Sequence, residues 1–309
     1  VIDAALWVGT IGILGLCLLT LVAFAGDTHS LPEVTTHFRV HYAAGLFLSV
    51  IVYAAVRRFR WAAVFAVFAL LNAATLAPRF IPREAAPEGA PELKLLLSNV
   101  LTSNRDHASL LTLVAREKPD LIALLEVNDR WVTALGPLSA EYAYSRRDSR
   151  PDNFGIALFS RLPLTEVKTI YLGPAEVPSI RATLTFGGRP ITVLATHPVP
   201  PGNPENLFLR DQHLTAIARW SSASPTPALV IGDLNCTPWS PAFGRLLKDG
   251  ALLDTGRGLT PTWPVKPWWL RIPLDHCLAS PSFLVADHHR GPDIGSDHFP
   301  IIVTLTLRP

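Results

Sequence analysis

Three long apolar stretches crowd the N-terminal part of the chain and constrain everything after them. Ala4–Ala25 runs 22 residues without a charge. Val40–Val56 and Trp61–Ala77 run 17 residues each, and His41 is the only group in the three stretches that titrates near neutral pH. About 20 apolar residues cross a bilayer, and about 17 is the lower limit. The first stretch is too long and lacks the basic flank of a signal peptide. Trp7, Tyr42, Tyr53 and Trp61 stand near the stretch ends, where interfacial aromatics collect. These features predict three transmembrane helices in residues 1–77; for the second and third, the competing reading is a buried helical hairpin. The very short loop holding Arg57, Arg58 and Arg60 is expected on the cytoplasmic side, which places all that follows outside, although Arg39, Arg79 and Arg83 oppose it. The expected location is therefore a cell membrane, that of a bacterium, with the remaining domain leaning extracytoplasmic. Residues 78–92 hold four Pro with Ala and Gly and read as a semi-rigid linker.

Residues 93–309 carry 21 basic and 19 acidic side chains, so charge makes no general case for a nucleic-acid partner. The three cysteines show neither zinc spacing nor a disulfide framework. Apolar runs at 93–100, 120–127, 155–160, 167–172, 180–186, 191–197, 228–232, 273–279 and 301–307 read as strands, with a Gly187-Gly188 hairpin turn between the fifth and sixth. Residues 106–117 and 206–220 read as helices. Many strands with few intervening helices predict an α+β fold of two packed sheets flanked by helices.

Polar residues recur at the strand ends. Asn99 closes LLLSN, Glu126 closes LIALLE and His197 closes ITVLATH. Asp233 and Asn235 close LVIGDLN, Asp275 sits in PLDHCLAS, and Asp297 and His298 form GSDH before the last strand. In GDLN the Gly is expected to let the backbone turn, with Asp233 and Asn235 on one side of the extended chain. Each residue alone reads as a turn, a cap or a structural His; the series is what points to a site.

That series, with GDLN, GSDHFP, LLEV and GIALFSRLP, resembles the endonuclease/exonuclease/phosphatase superfamily, the DNase I-like fold. Span count and domain order look most like its membrane-anchored members linked with teicoplanin resistance. The resemblance implies a four-layered α/β/β/α sandwich with a divalent cation, Mg²⁺ or alternatively Mn²⁺, at one edge. It implies metal-site roles for Asn99, Glu126 and Asp297. It implies that Asp233 orients or deprotonates the attacking water and that Asn235 holds a phosphate oxygen. His298 would face the scissile phosphate, Asp275 would orient His298, and His197 matches a second His of DNase- and sphingomyelinase-like members. Hard oxygen donors suit Mg²⁺. The expected activity is Mg-dependent hydrolysis of a phosphate ester or pyrophosphate on a lipid-linked substrate such as undecaprenyl pyrophosphate. A nuclease is the alternative, and a non-enzymatic binding module the third reading. The expected partners are the bilayer and a phosphorylated, lipid-linked substrate, with nucleic acid less favoured and no protein partner evident.

Asp287-His288-His289 reads as a solvated strand end rather than a metal cluster. Arg161, Arg181 and Arg210 read as surface charges. Trp263, Trp268 and Trp269 are either packing under a loop or an apolar rim beside the site.

Overall fold

The computed structural model describes residues 2–308, with side chains described from residue 7. Among the described residues eight α-helices run in chain order: α1 (Ile2–Ala23), α2 (Ser30–Thr36), α3 (Arg39–Ala55), α4 (Phe59–Leu76), α5 (His107–Glu117), α6 (Asp129–Ala134), α7 (Pro204–Ser222) and α8 (Pro241–Asp249). Twelve strands follow the same order. They are β1 (Leu93–Asn99), β2 (Leu121–Leu125), β3 (Tyr144–Asp148), β4 (Ile156–Ser160), β5 (Leu164–Tyr171), β6 (Pro178–Phe186), β7 (Arg189–Thr196), β8 (Ala228–Asp233), β9 (Leu253–Asp254), β10 (Asp275–Ala279), β11 (Phe283–Arg290) and β12 (Ile301–Leu307).

The strands form two six-stranded mixed sheets, ordered β11-β12-β1-β2-β4-β3 and β5-β6-β7-β8-β10-β9. This is the α+β sandwich expected of a DNase I-like chain. Each sheet contains one parallel pair, β1–β2 or β7–β8, and its other pairings are antiparallel. A parallel pair needs a crossover, and α5 and α7 supply the two. Asp106 caps α5 by accepting the Ser109 N–H at 3.1 Å, and Asn203 caps α7 by accepting the Asn206 N–H at 2.8 Å.

Strand periodicity sorts the side chains into layers. Leu93, Leu95 and Leu97 of β1 pack between the sheets with Val193, Leu229 and Ile231, while Leu96 turns outward to Leu110 and Leu113 of α5. Val230 and Leu278 turn outward from the second sheet to Leu214, Ile217 and Phe243. Both faces are covered, so these strands read as continuous apolar runs rather than alternating ones.

The N-terminal helices differ from the expectation of three spans. Among the described residues one helix, Phe59–Phe80, is long and apolar enough to cross a membrane. Ser30–Thr36 and Arg39–Ala55 qualify only together, and they are bent by 62°. The described part of the first helix, Trp7–Ala23, is apolar but shorter; the side chains of Ala4–Leu6 fall outside the described residues. The polar SLPEVTT segment is itself helical and breaks the direction of the chain before α3 begins. The helices pack around Leu46, Tyr53 and Phe65, and Asn72 Nδ2 donates to Thr20 Oγ1 across the bundle at 2.8 Å. Their outer surfaces carry large apolar side chains, among them Val8 at 72% and Leu70 at 69% exposure.

The linker lies against the second sheet. Arg79 pairs with Asp254 and donates to Gly258 O at 2.8 Å, and Arg83 donates to Gly256 O at 3.1 Å.

Gly232 does not turn the chain. It stays in β8, paired with Thr196, and a Cβ there would stand 1.9 Å from the Thr196 carbonyl oxygen. The need is close approach of two backbones, not conformational freedom. Gly232→Ala is expected to lower the thermal midpoint sharply or prevent folding, because backbone cannot yield as a side chain tip does; overpacking typically costs about 1–3 kcal/mol. Gly136→Ala, which meets nothing within 4 Å, is the control and should melt as the parent does.

Candidate active site

The register of the parallel pairs brings the polar strand ends together. Asn99 pairs with Leu125, so Glu126 stands one residue beyond β2 and beside Asn99. In the second sheet Thr196 pairs with Gly232, which sets His197 beside Asp233, and Asp275 pairs with Asp233 from the other side. Asn99 Nδ2 donates to Glu126 Oε1 at 2.9 Å and to Asp233 Oδ2 at 3.4 Å, so one amide bridges the two sheets. The other Glu126 oxygen accepts the Thr102 N–H at 3.2 Å. Glu126 and Asn235 have φ of 62° and 49°. Such backbone is uncommon outside glycine and often marks a residue aimed by its surroundings.

Asp233 is the centre of the charge arrangement. Its Oδ1 accepts the Asn235 N–H at 3.0 Å. Its Oδ2 lies 3.5 Å from His197 Nε2 and 3.6 Å from His298 Nε2. His298 Nδ1 donates to Asp275 Oδ2 at 2.8 Å. Burial alone would raise the Asp233 carboxyl, but the charges of His298 and His197 hold it below the usual carboxylate range. Burial would likewise strip the proton from His298; Asp275 and Asp233 more than offset it and raise the imidazole to about 10. His197 is raised against the same burial, chiefly by Asp233. His213 shows the opposite outcome: burial and the charge of His197 both disfavour its proton and push it down to about 3.

Asp233, Asp275 and His298 come within metal-binding distance of one another. A protonated His298 donating to carboxylate cannot also ligate, so we read these three as an ion-paired triad. The better cation donors are Glu126 and Asp297 on the same cavity. Asp297 Oδ2 accepts from Trp263 Nε1 at 3.0 Å, while its Oδ1 is buried without a partner. A carboxylate oxygen left bare in the interior is a fit for a hard divalent cation.

Residues 96–298 match the sequence profile of the Endonuclease/Exonuclease/phosphatase family. The chain belongs to this family. Solved structures similar to it include the family proteins of Bacteroides vulgatus (19% identity, TM-score 0.61, 70% of this chain and 99% of that one) and Leptotrichia buccalis (18%, 0.60, 70% and 100%). A third is D. rerio TDP2 complexed with single-strand DNA product (17%, 0.58, 70% and 99%). No curated protein matches the chain. The family's name spans nucleases and phosphatases, enzymes that hydrolyse phosphoester bonds. The buried Asp/His cluster of this member sits where the family match and the two sheets coincide.

All eight residues singled out from the sequence fall at this edge. Glu126, His197, Asp233, Asn235, Asp297 and His298 line one cavity of about 720 Å³; Asn99 and Asp275 stand behind it, bonded to Glu126 and His298. The tryptophans divide. Trp263 lines the cavity, its ring centroid 6.2 Å from that of His298, while Trp268 and Trp269 are 70% and 58% exposed. The Asp287–His289 segment does not converge: His289 pairs with exposed Asp287, and His288 meets Thr255 Oγ1 at 3.0 Å. Cys236 and Cys277 are buried free thiols.

Arg210 overturns its reading as a surface charge. Its side chain is fully buried and its Nη1 donates to the Asn235 carbonyl at 3.0 Å. A charge on the buried face of a crossover helix would have been the signal. Sequence also gave no sign that Val34, His37 and Phe38, from the segment between the first two apolar helices, line the cavity.

The His298 shift has a testable sign. A histidine raised from about 6.5 to about 10 stabilises the fold fully below pH 6.5, and loses that contribution as pH climbs towards 10. In EDTA, His298→Gln should lower the melting temperature most at pH 6, where about 3–5 kcal/mol is typical for a broken buried pair. The deficit should shrink towards pH 10. A deficit that grows with pH would contradict the arrangement.

Proposed function

We propose that the protein is a membrane-anchored, divalent-metal-dependent phosphoesterase that hydrolyses a phosphate ester or pyrophosphate on a lipid-linked substrate, such as a polyprenyl pyrophosphate. One observation carries this reading: the cavity floored by the Asp/His cluster is walled by apolar side chains, and part of that wall belongs to the apolar helical bundle. Phe154, Val199, Ile272 and Leu274 line it from the catalytic domain, and Val34 and Phe38 from the bundle. A phosphate carrying an apolar chain matches such a site, charged at its base and greasy at its walls. The exposed Trp268 and Trp269 extend the apolar surface and suit a bilayer interface. The outward apolar faces of α1, α3 and α4 support a membrane anchor, and the proposed anchor keeps the three spans and the outside placement in a bacterial cell membrane that the sequence suggests.

The chemistry follows from the charges. Glu126 and Asp297, with Asn99 beside them, would hold the cation, Mg²⁺ for preference; when bound it supplies Lewis-acid polarisation of a phosphoryl oxygen and charge for the leaving group. His298, raised to about 10, is protonated at neutral pH and cannot take a proton from water, and Asp233 pushes His197 in the same direction, which disfavours it as a base. That leaves Asp233 to orient the attacking water and accept its proton. Its low pKa makes it a weak base, so orientation is its larger task. His298, held by Asp275, donates to the phosphoryl oxygen as charge develops there. Asn235 spends one amide proton on the Pro198 carbonyl at 2.9 Å and keeps the other for a phosphate oxygen.

A nuclease reading has the DNA-product complex of a similarly folded protein in its favour. The near-neutral catalytic domain argues against it. Phosphate release by the detergent-purified protein decides between them, with a polyprenyl pyrophosphate, duplex DNA and a phosphodiester lipid tested in parallel. We expect release from the prenyl substrate alone, abolished by EDTA and reduced on the order of 10²- to 10⁴-fold in Asp233→Ala. DNA cleavage lost in the same variant would replace this reading with the nuclease. Wild-type inactivity on all three would leave the family standing and overturn the prenyl-substrate reading.

A further inference from the structure

The catalytic edge is tied to the helical bundle through one buried ion pair. Glu33 lies on α2, outside the family-matched segment, and is 1% exposed. Its Oε1 accepts from Arg210 Nη2 at 2.7 Å and from Ser240 Oγ at 2.7 Å. The same guanidinium donates through Nη1 to the backbone carbonyl of Asn235. Its Nε is taken by Asp211, which is 29% exposed and also pairs with Arg245 at 3.3 Å. Glu33 is thus the one fully buried anion facing a fully buried cation among the described residues around Arg210.

We infer that Glu33 is a positioning residue for hydrolysis: acting through Arg210, it holds the Asn235 carbonyl and with it the GDLN turn that carries Asp233 and Asn235. This rests on the reading of Asp233 and Asn235 as the reacting edge. Asn235 occupies left-handed backbone, which a side-chain-bearing residue keeps only when its surroundings hold it there. The hold on its carbonyl comes from Arg210. A buried guanidinium with its main anion removed is free to turn towards Asp211 or draw in water, and the carbonyl then loses its donor. The sequence spacing adds a second consequence. Val34, His37 and Phe38, which follow Glu33, form one wall of the reaction cavity, so the residue that neutralises Arg210 also anchors that wall. The domain 93–309 by itself would keep only the part-exposed Asp211 against Arg210 and would have a cavity open on one side.

A docking role and a positioning role differ in what they move. Asp27 pairs with Arg245 between the same bundle and the same domain, but both partners are about half exposed, and neither touches the GDLN turn. The test compares the whole 309-residue chain as wild type, Glu33→Gln, Asp27→Asn and Asp233→Ala in detergent with Mg²⁺, with phosphate release from a polyprenyl pyrophosphate as the readout. We expect kcat of Glu33→Gln to fall on the order of 10- to 100-fold with KM within about twofold of wild type, since small misplacements of reacting groups act on the transition state. Asp27→Asn should keep wild-type constants. Wild-type kcat in Glu33→Gln, or equal losses in Glu33→Gln and Asp27→Asn, overturns the inference. If melting shows Glu33→Gln unfolded, Glu33→Asp, which keeps the charge and retracts it by one methylene, is read by the same kcat and KM criteria. Asp233→Ala separates the two levels. Full activity there, or none in wild type, sinks the phosphoesterase reading and this inference with it; loss there beside an unaffected Glu33→Gln sinks the inference alone.

Discussion

The two parallel strand pairs fix where four of the site's polar side chains stand. β1–β2 and β7–β8 each deliver two strand ends to one edge of the sandwich, and the residues just past those ends have no further ladder to join. Asn99, Glu126, His197 and Asp233 occupy these places, and the antiparallel β10 adds Asp275 opposite Asp233. The carboxyl ends of parallel strands are where open α/β sheets bind ligands. Here two such edges face one another, and the Asn99 amide joins them. Close backbone packing at Gly232 is part of the same constraint, because His197 and Asp233 meet only if β7 and β8 run together to their ends.

Once the carboxylates and imidazoles are crowded there, electrostatics assigns their states. His298 sits between two buried carboxylates and stays charged; His213, of the same residue type and also buried, has no such compensation and stays neutral. The difference is the charge of the neighbours, not burial. It also separates the ion-paired triad from the oxygen donors better suited to a cation, because a protonated imidazole has no lone pair to give.

The interior strands and the eight site residues were legible because burial on both faces writes long apolar runs, and each run ends in a conspicuous polar residue. β3, with the sequence YSRRD, was not legible: it is an exposed edge strand with no apolar face to advertise it. β11 showed only its first three apolar residues, since its second half is polar at the opposite edge. Arg210 was hidden by composition, because a charged residue in a helix reads as solvated unless its partner is known, and that partner lies far away in sequence on α2. The break between α2 and α3 escaped for a related reason. Hydropathy reports that a segment is apolar, not that its helix bends by 62° against a polar neighbour. Trp263, Trp268 and Trp269 look alike in sequence and part company only when the loop folds one inward to Asp297.

In the proposed reading, bundle and family-matched domain make one working object: a phosphoester-hydrolysing edge whose remaining wall comes from Val34, His37 and Phe38. The most direct test of that claim is photoaffinity labelling in lipid vesicles with a polyprenyl pyrophosphate bearing a diazirine on its first isoprene unit, followed by peptide mapping. Label is expected on the cavity wall, at Phe38, Trp263 or the Pro200–Pro201 segment, displaced by unlabelled substrate. Label confined to the outward faces of α1 and α4, or undiminished by competitor, would contradict it.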